Sequence, residues 1–277
     1  MLPATGYALR NENRPYADDP AWTGVEVDFL RACHPLRTEP FLAGLNFDYV
    51  SIHSLELSVS SPDLPDRRFL DALVEIAREN GAVAITDHLG FTHGEVGGAG
   101  VGHVTAPPFT QAALDATCRN IDHIQQHFGE FRFYVENLAH FFQWKGTIDE
   151  AEFMIRVLQR TGCGLLLDVT NAYANERNFG GSASQFIRAI VPAANRVQMH
   201  LAGGMFDDER GRYIDSHSEP IPPEVWALYR EAVAVSGDRL DAVFIERDWN
   251  FPTEAGWRNE VHKARHHLAA SQPMVAS

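Results

Sequence analysis

Gly164-Leu-Leu-Leu-Asp168-Val-Thr-Asn171 reads as a strand with no polar face: a glycine, three leucines in a row, then a polar tip of Asp168, Thr170 and Asn171. An unbroken apolar run of this kind suits a strand covered on both sides, as in parallel sheets whose crossover helices lie over them. Such sheets and barrels carry their chemistry at the carboxyl ends of strands, where side chains converge on a mouth. A carboxylate at this tip therefore raises the question of what the other strands end in.

Short apolar segments recur along the whole chain. Eight are strand candidates: Gly6–Arg10, Val25–Leu30, Tyr49–Leu57, Ala82–Phe91, Phe131–Leu138, Gly164–Asn171, Arg196–Gly203 and Ala242–Trp249. Between them, Asp66–Asn80 opens on an aspartate cap and stops at Gly81, and Thr110–Phe128 opens on a threonine and stops at Gly129. Thr147-Ile-Asp-Glu150 and Ser182-Ala-Ser-Gln185 fit capping boxes, Pro222-Pro-Glu-Val-Trp226 opens a helix toward Ser236, and Thr253 caps a last one toward Ala270. Strands alternating with helices eight times predict an α/β fold, a single closed (β/α)8 barrel of TIM type over residues 1–270, with 271–277 as a frayed tail. The first two units carry the weakest pattern, and Pro35 and Pro40 follow the second without a clean helical period.

Two connections are longer than usual, the glycine-rich Gly94–Pro108 and Gly203–Ile221. The first does not place G-x-G-x-x-G between a strand and a helix, so a mobile lid or peptide-contacting loop is expected there rather than a phosphate cradle.

Bulk composition narrows the function classes. A net charge of −14 disfavours a sequence-independent grip on nucleic-acid phosphates and suits a site that collects cations. Cys33, Cys118 and Cys163 are scattered and form no C-x-x-C pair, so neither a disulfide framework nor a thiolate zinc site is indicated; they are expected to be buried or inert. No apolar run reaches the roughly 18 residues a membrane helix needs, and no signal-peptide pattern opens the chain, so a soluble cytoplasmic protein is expected.

The strand tips answer the opening question. His53, His88, Glu136, Asp168, His200 and Glu246 each stand at or near the carboxyl end of a strand candidate. They follow one another at intervals of 35, 48, 32, 32 and 46 residues, and the two long intervals contain the two long loops. That is the period of a strand–helix unit, and it points six donors at a common axis. Glu246 and Asp248 are two apart and share a strand face, and Asp215-Ser-His217 adds a carboxylate and an imidazole. Imidazoles and carboxylates without cysteine suit Fe(II), Mn, Co or Zn, and so many donors exceed the needs of one ion. A site of two or three metals with a bridging Glu136 or Glu246 accounts for them better. His34, His93, His103, His123, His127, His140, His266 and His267 are read as solvated structural residues, with His93 and His103 kept open because they flank the glycine-rich loop.

The ordered set Ser-Ile-His53-Ser, Thr-Asp87-His88-Leu, Glu136-Asn137-Leu, Asp168-Val-Thr-Asn171, His200-Leu-Ala-Gly203, Asp215-Ser-His217 and Glu246-Arg-Asp248 resembles the DUF692 family, the multinuclear non-haem iron-dependent oxidases. The resemblance runs from about residue 6 to 265. It implies a xylose-isomerase-like barrel with two or three irons in its mouth, dioxygen as co-substrate, and a ribosomally synthesised precursor peptide as substrate. It further implies a small partner protein that presents the peptide, and modification of a peptide residue, frequently cysteine. On the same ground His53, His88, Glu136, Asp168, His200, Asp215, His217 and Glu246 bind iron, Asn171 is a further ligand or its neighbour, and Asp248 moves protons. The chain departs from the family pattern in its opening Gly6-Tyr-Ala-Leu-Arg10, at Asn13, where relatives carry His, at Thr170, where they carry Asn, and in a short stretch between the second and third strands. Two rival readings share the ligands or drop the chemistry: a metal-dependent sugar isomerase, epimerase or endonuclease IV-like phosphodiesterase, and a metal-stabilised peptide-binding protein without turnover.

Overall fold

The computed structural model describes residues 2–33, 41–94 and 100–271. In chain order its elements are β1 (Ala4–Tyr7), β2 (Gly24–Asp28), α1 (Phe29–Ala32), β3 (Tyr49–His53), α2 (Arg67–Glu79), β4 (Ala84–His88), β5 (Phe91–His93) and β6 (Gly100–Thr105). There follow α3 (Gln111–Phe128), β7 (Arg132–Glu136), α4 (Glu150–Thr161), β8 (Gly164–Asp168), α5 (Val169–Phe179), α6 (Ala183–Ile190) and β9 (Val197–Leu201). The last are β10 (Met205–Asp207), β11 (Arg212–Ile214), α7 (Pro223–Ser236), β12 (Leu240–Ile245) and α8 (Glu254–Ser271). Eight strands pair in parallel in the order β1-β12-β9-β8-β7-β4-β3-β2. The two ends of that order meet, because Leu9 N donates to Glu26 O at 2.8 Å and Thr23 N to Thr5 O at 2.7 Å. The result is the expected TIM-type barrel, nearly closed.

Alternation along the strands sorts side chains into two populations. Val25, Val27, Ile52, Ile85, Val135, Leu165 and Leu167 belong to the large core that also holds the helix faces. The other parity forms a separate cluster of Ala4, Tyr49, Ala84, Tyr134, Leu166, Ala242 and Phe244, which plugs the barrel at its amino end. Two residues further along the same parity the interior turns polar, with Glu26, Ser51, Thr86, Glu136, Asp168, His200 and Glu246, all buried. Gly164 is required at its place, since a Cβ there would come within 2.3 Å of the Tyr134 ring. The glycine that opens the Leu run makes room for the plug.

Several local expectations change. Strand β8 stops at Asp168, and Val169-Thr170-Asn171 form the first turn of α5 with Asp168 as its cap. The Asp168 carboxylate accepts from Asn171 N at 2.7 Å, which offers the free N–H groups a partner and turns the chain out of the sheet. Helix α4 begins at Glu150 rather than in a box opened by Thr147, because the Asp149 carboxylate accepts from Ala151 N and Glu152 N. Ser182 and Thr253 cap as expected, through Gln185 N and Gly256 N. Both long loops contain hairpins, β5 with β6 and β10 with β11. The centre of the glycine-rich loop, 95–99, lies outside the described residues, as do 34–40 with His34, Pro35 and Pro40, and 272–277 of the expected tail. Cys118 and Cys163 are buried, whereas Cys33 is exposed at the end of α1. Among the described residues, no helix is long and apolar enough to cross a membrane.

Candidate metal centre

The barrel's carboxyl end gathers the strand-tip residues. His53 ends β3, His88 ends β4, Glu136 ends β7, Asp168 ends β8, His200 lies in β9, and Glu246 follows β12 directly. Strand register aligns them: His88 pairs with Glu136 across β4 and β7, and Asp168 with His200 across β8 and β9. Glu136 stands at the centre. Its Oε2 is 3.6 Å from His88 Nε2 and 3.8 Å from His53 Nε2, while its Oε1 is 3.6 Å from His200 Nδ1. Glu246 Oε2 lies 3.2 Å from His200 Nδ1 and 3.8 Å from His217 Nε2, which is itself 3.1 Å from Asp215 Oδ1. Donor atoms of His53, His88 and Glu136, of Glu136, Asp168 and His200, of Asp168, His217 and Glu246, and of Glu26, His200 and Glu246 each fall within 4.8 Å of one another.

Many of these donors have nothing to bond. Glu136 Oε2, Asp168 Oδ2, Asn171 Oδ1, Asp215 Oδ1, His200 Nδ1 and His217 Nε2 are buried without a hydrogen-bond partner. Buried polar atoms are normally satisfied, because leaving one unmade costs about 1–3 kcal/mol. Six unsatisfied oxygens and nitrogens converging in one place fit divalent cations, and their hard and borderline character fits iron, manganese or zinc. Asn171, brought over the site by the first turn of α5, spends its Nδ2 on Asn137 O at 3.0 Å and leaves Oδ1 free.

Electrostatics divides the site. Burial pushes the rings of His53 and His88 down to about 4, so both are neutral. Burial works the same way on His200 and His217, but the carboxylates around them prevail and both sit well above the usual histidine range. Glu246, between those two rings, is held well below the usual carboxylate range against the effect of burial. Burial, with Asp215 and Glu136 nearby, raises Asp168 well above its ordinary value. An assembly of carboxylates that cannot all be charged at once is what bound cations relieve.

At the mouth, Asp248 is held on both oxygens. Arg10 Nε donates to Oδ1 at 2.7 Å, and Oδ2 lies 3.0 Å from His217 Nδ1. Arg10 also reaches Asp28 at 3.1 Å. Burial tends to raise Asp248, but these contacts win and lower it. His217 has φ +48°, a left-handed conformation uncommon for a side chain with Cβ, and its carbonyl accepts from Asp248 N at 2.9 Å.

The donors lie beneath a cavity of about 1010 Å³ whose wall includes His88, Asn171, Asp215, His217 and Asp248. Leu30, Leu55, Phe141 and Trp249 line it further out and are exposed. His93 and His103 on the β5–β6 hairpin also line it, away from the donor groups. His140, expected to be solvated, is buried with Nε2 2.9 Å from Glu150 Oε1, on the cavity wall.

Residues 34–269 match the family of RiPP precursor modification enzymes MbnB/TglH/ChrH, where RiPP denotes a ribosomally synthesised and post-translationally modified peptide. The chain belongs to that family. It is 38% identical over 216 residues to a UPF0276 protein of Rhizorhabdus wittichii, covering 78% of this chain and 75% of that one. A UPF0276 protein of Caulobacter vibrioides is 33% identical over 283 residues, covering 98% of this chain and 97% of the other. Among solved structures, a xylose isomerase-like TIM barrel protein from Mycobacterium smegmatis in complex with magnesium superposes with a TM-score of 0.57 at 15% identity, covering 98% of each chain. That likeness concerns the fold.

Two of the departures of this MbnB/TglH/ChrH-family chain from the motif pattern, Asn13 and Thr170, have local explanations. Asn13 is buried and ties the first loop through Arg10 N and Ala8 O. Thr170 Oγ1 exchanges hydrogen bonds with Ala202 at 2.8 and 3.0 Å, fixing α5 to the end of β9. One residue of the centre escaped the sequence reading. Glu26, wholly buried in β2, stands 2.8 Å from His200 Nε2, and the signal for it was a carboxylate between two valines in a barrel strand.

Proposed function

We propose that this protein is an iron-dependent, dioxygen-using oxidase that modifies a side chain, cysteine above all, of a ribosomally synthesised precursor peptide. The observation that carries the reading is the set of buried, unsatisfied donors from six positions beneath a cavity with an apolar, exposed rim. His53, His88, Glu136, Asp168, Asn171, His200, Asp215, His217 and Glu246 would hold two or three iron ions. Bound iron supplies the redox capacity by which dioxygen oxidises the peptide side chain.

The chain's own residues do the rest. Strand ends hold the donors in place, so little reorganisation accompanies reaction. The Tyr49, Tyr134 and Phe244 plug closes the barrel from below and confines solvent to the mouth. Asp248, on the cavity wall, takes up a proton released by the substrate at Oδ2, and its contacts with Arg10 and His217 keep it anionic between turnovers. The exposed Phe141 and Trp249 supply an apolar face for the peptide and for a small partner protein that presents it.

Metal analysis after anaerobic purification tests the reading, together with oxygen uptake on addition of a cysteine-bearing peptide encoded beside the gene and its partner protein. Iron above one ion per chain and peptide-dependent oxygen consumption are expected. Manganese or zinc supporting full turnover under strict anaerobiosis would overturn the proposal.

A further inference from the structure

His200 is a ring with two differently occupied sides. Its Nδ1 faces the shared carboxylates, 3.2 Å from Glu246 Oε2 and 3.6 Å from Glu136 Oε1. Its Nε2 faces Glu26 Oε1 at 2.8 Å, and both side chains are wholly inaccessible to solvent. The contact is short and oblique, so neither atom completes an aligned hydrogen bond, and Glu26 Oε2 is unpartnered as well. A carboxylate sealed in a barrel interior is strongly unfavourable unless a cation or donor compensates it. What compensates Glu26 is His200, and a cation held at Nδ1 together with Glu246 and Glu136 would need that nitrogen without its proton.

We propose that Glu26 is a positioning residue: it takes the Nε2 proton side of His200, fixes the tautomer with Nδ1 bare, and aims Nδ1 at the cation shared with Glu246 and Glu136. The inference deepens the metal reading above and rests on His200 being a ligand. Rings that bind metal through one nitrogen commonly give the other N–H to a carboxylate, which sets orientation and raises ligand basicity. Glu26 reaches His200 because β2 closes the barrel through the backbone bond from Leu9 N to Glu26 O, which seats the residue inside.

The test titrates the full-length metal-free protein with cobalt(II) under anaerobic conditions, reading ligand-field absorption. Glu26→Ala should weaken one class of bound cobalt by about 10- to 100-fold. Glu26→Gln, which keeps an acceptor oxygen in the same shape, should recover most of the loss. In the zinc-loaded wild-type protein, 15N NMR of the histidine rings should find His200 protonated at Nε2. Wild-type affinity in Glu26→Ala, or His200 protonated at Nδ1, would overturn the proposal. So would loss of one whole equivalent of cobalt in both variants, which would make Glu26 a ligand. Should Glu26→Ala not fold, Glu26→Gln and the wild-type spectrum decide alone. A wild-type protein that binds no cobalt removes the metal reading and this inference together, whereas normal binding in wild type and both variants removes this inference only.

Discussion

His88 Nε2 and Glu136 Oε2 face each other across 3.6 Å from adjacent strands whose register pairs these two residues directly. The other oxygen of the same carboxylate lies 3.6 Å from His200 Nδ1, so Glu136 reaches both the His53–His88 pair and His200. Glu136→Ala should therefore lower iron content at more than one position, while His53→Ala should lower it at one. Elemental analysis of anaerobically purified variants, with circular dichroism as a folding check, distinguishes the two. A folded Glu136→Ala protein with full iron would contradict the bridging role.

The two halves should also differ in pH dependence. A cation can bind a ring only after any proton has left it. His53 and His88 are already neutral above about 4, so their position with Glu136 should keep its affinity as pH falls from 8 to 6. His217 and Asp168 bind their protons more tightly than usual, so a cation at Asp168, His217 and Glu246 must displace them, and its affinity should fall over the same range. Anaerobic zinc titrations at the two pH values, repeated in buffers of different ionisation heat, should show one proton-neutral class and one proton-releasing class. Loss of the proton-releasing class is expected in His217→Ala.

The barrel and most of the centre were legible because both depend on periodic signals. A run such as Leu165–Leu167 marks a strand covered on both sides, and one donor per strand–helix unit marks a common height. Glu26 escaped because it sits in the middle of its strand, not at the tip; barrel shear raises the middle of β2 to the level of His200, and shear cannot be read from one strand. Arg10 and Asp248 lie some 240 positions apart, and their contact follows only from the closure of the barrel between its first and last strands. Strand β8 ends three residues before the close of its sequence pattern because Asp168 is both the strand's last residue and the cap of α5.

Asp248 is where holding and catalysis separate. Asp248→Asn keeps the shape and an acceptor for His217, so iron content should stay near wild type while turnover falls by about 10²- to 10⁴-fold, the usual worth of a positioned proton acceptor. Iron loss in step with activity would show that Asp248 serves only to hold His217. Arg10→Met should act on stability instead. It leaves Asp28 and Asp248 facing each other without their shared cation, at a cost of about 3 kcal/mol, the lower end for a broken buried pair because both carboxylates keep some solvent. Urea denaturation of the metal-free protein measures it.

The rim should govern recognition and leave the centre untouched. Trp249 is 68% exposed and Phe141 58%, and both line the cavity mouth. Large exposed aromatic residues are the usual anchors of protein contacts, and removing one that is used costs about 2 kcal/mol or more. Phe141→Asp and Trp249→Asp should raise the peptide KM, or the Kd of the peptide and its partner protein, at least tenfold while iron content stays constant. Unchanged binding in the double variant would place the docking face elsewhere.

Gly203 connects the fold to the half of the centre that comes from a loop. A Cβ at this position would lie 1.9 Å from Glu219 O and 2.5 Å from Pro220 O, both backbone atoms that no side-chain rotation can move aside. The same contact is what places the loop, since Glu219 N donates to Gly203 O at 3.0 Å and His217 lies two residues before Glu219. Gly203→Ala should therefore cost about 3 kcal/mol, the upper end for overpacking, and displace Asp215 and His217 together. The expected signature is selective: the proton-releasing class of bound cation disappears, whereas the class at His53, His88 and Glu136, carried entirely by strand ends, survives. Metal titration of the folded variant reads this directly, and equal loss of both classes would mean that the loop and the strand ends do not load independently.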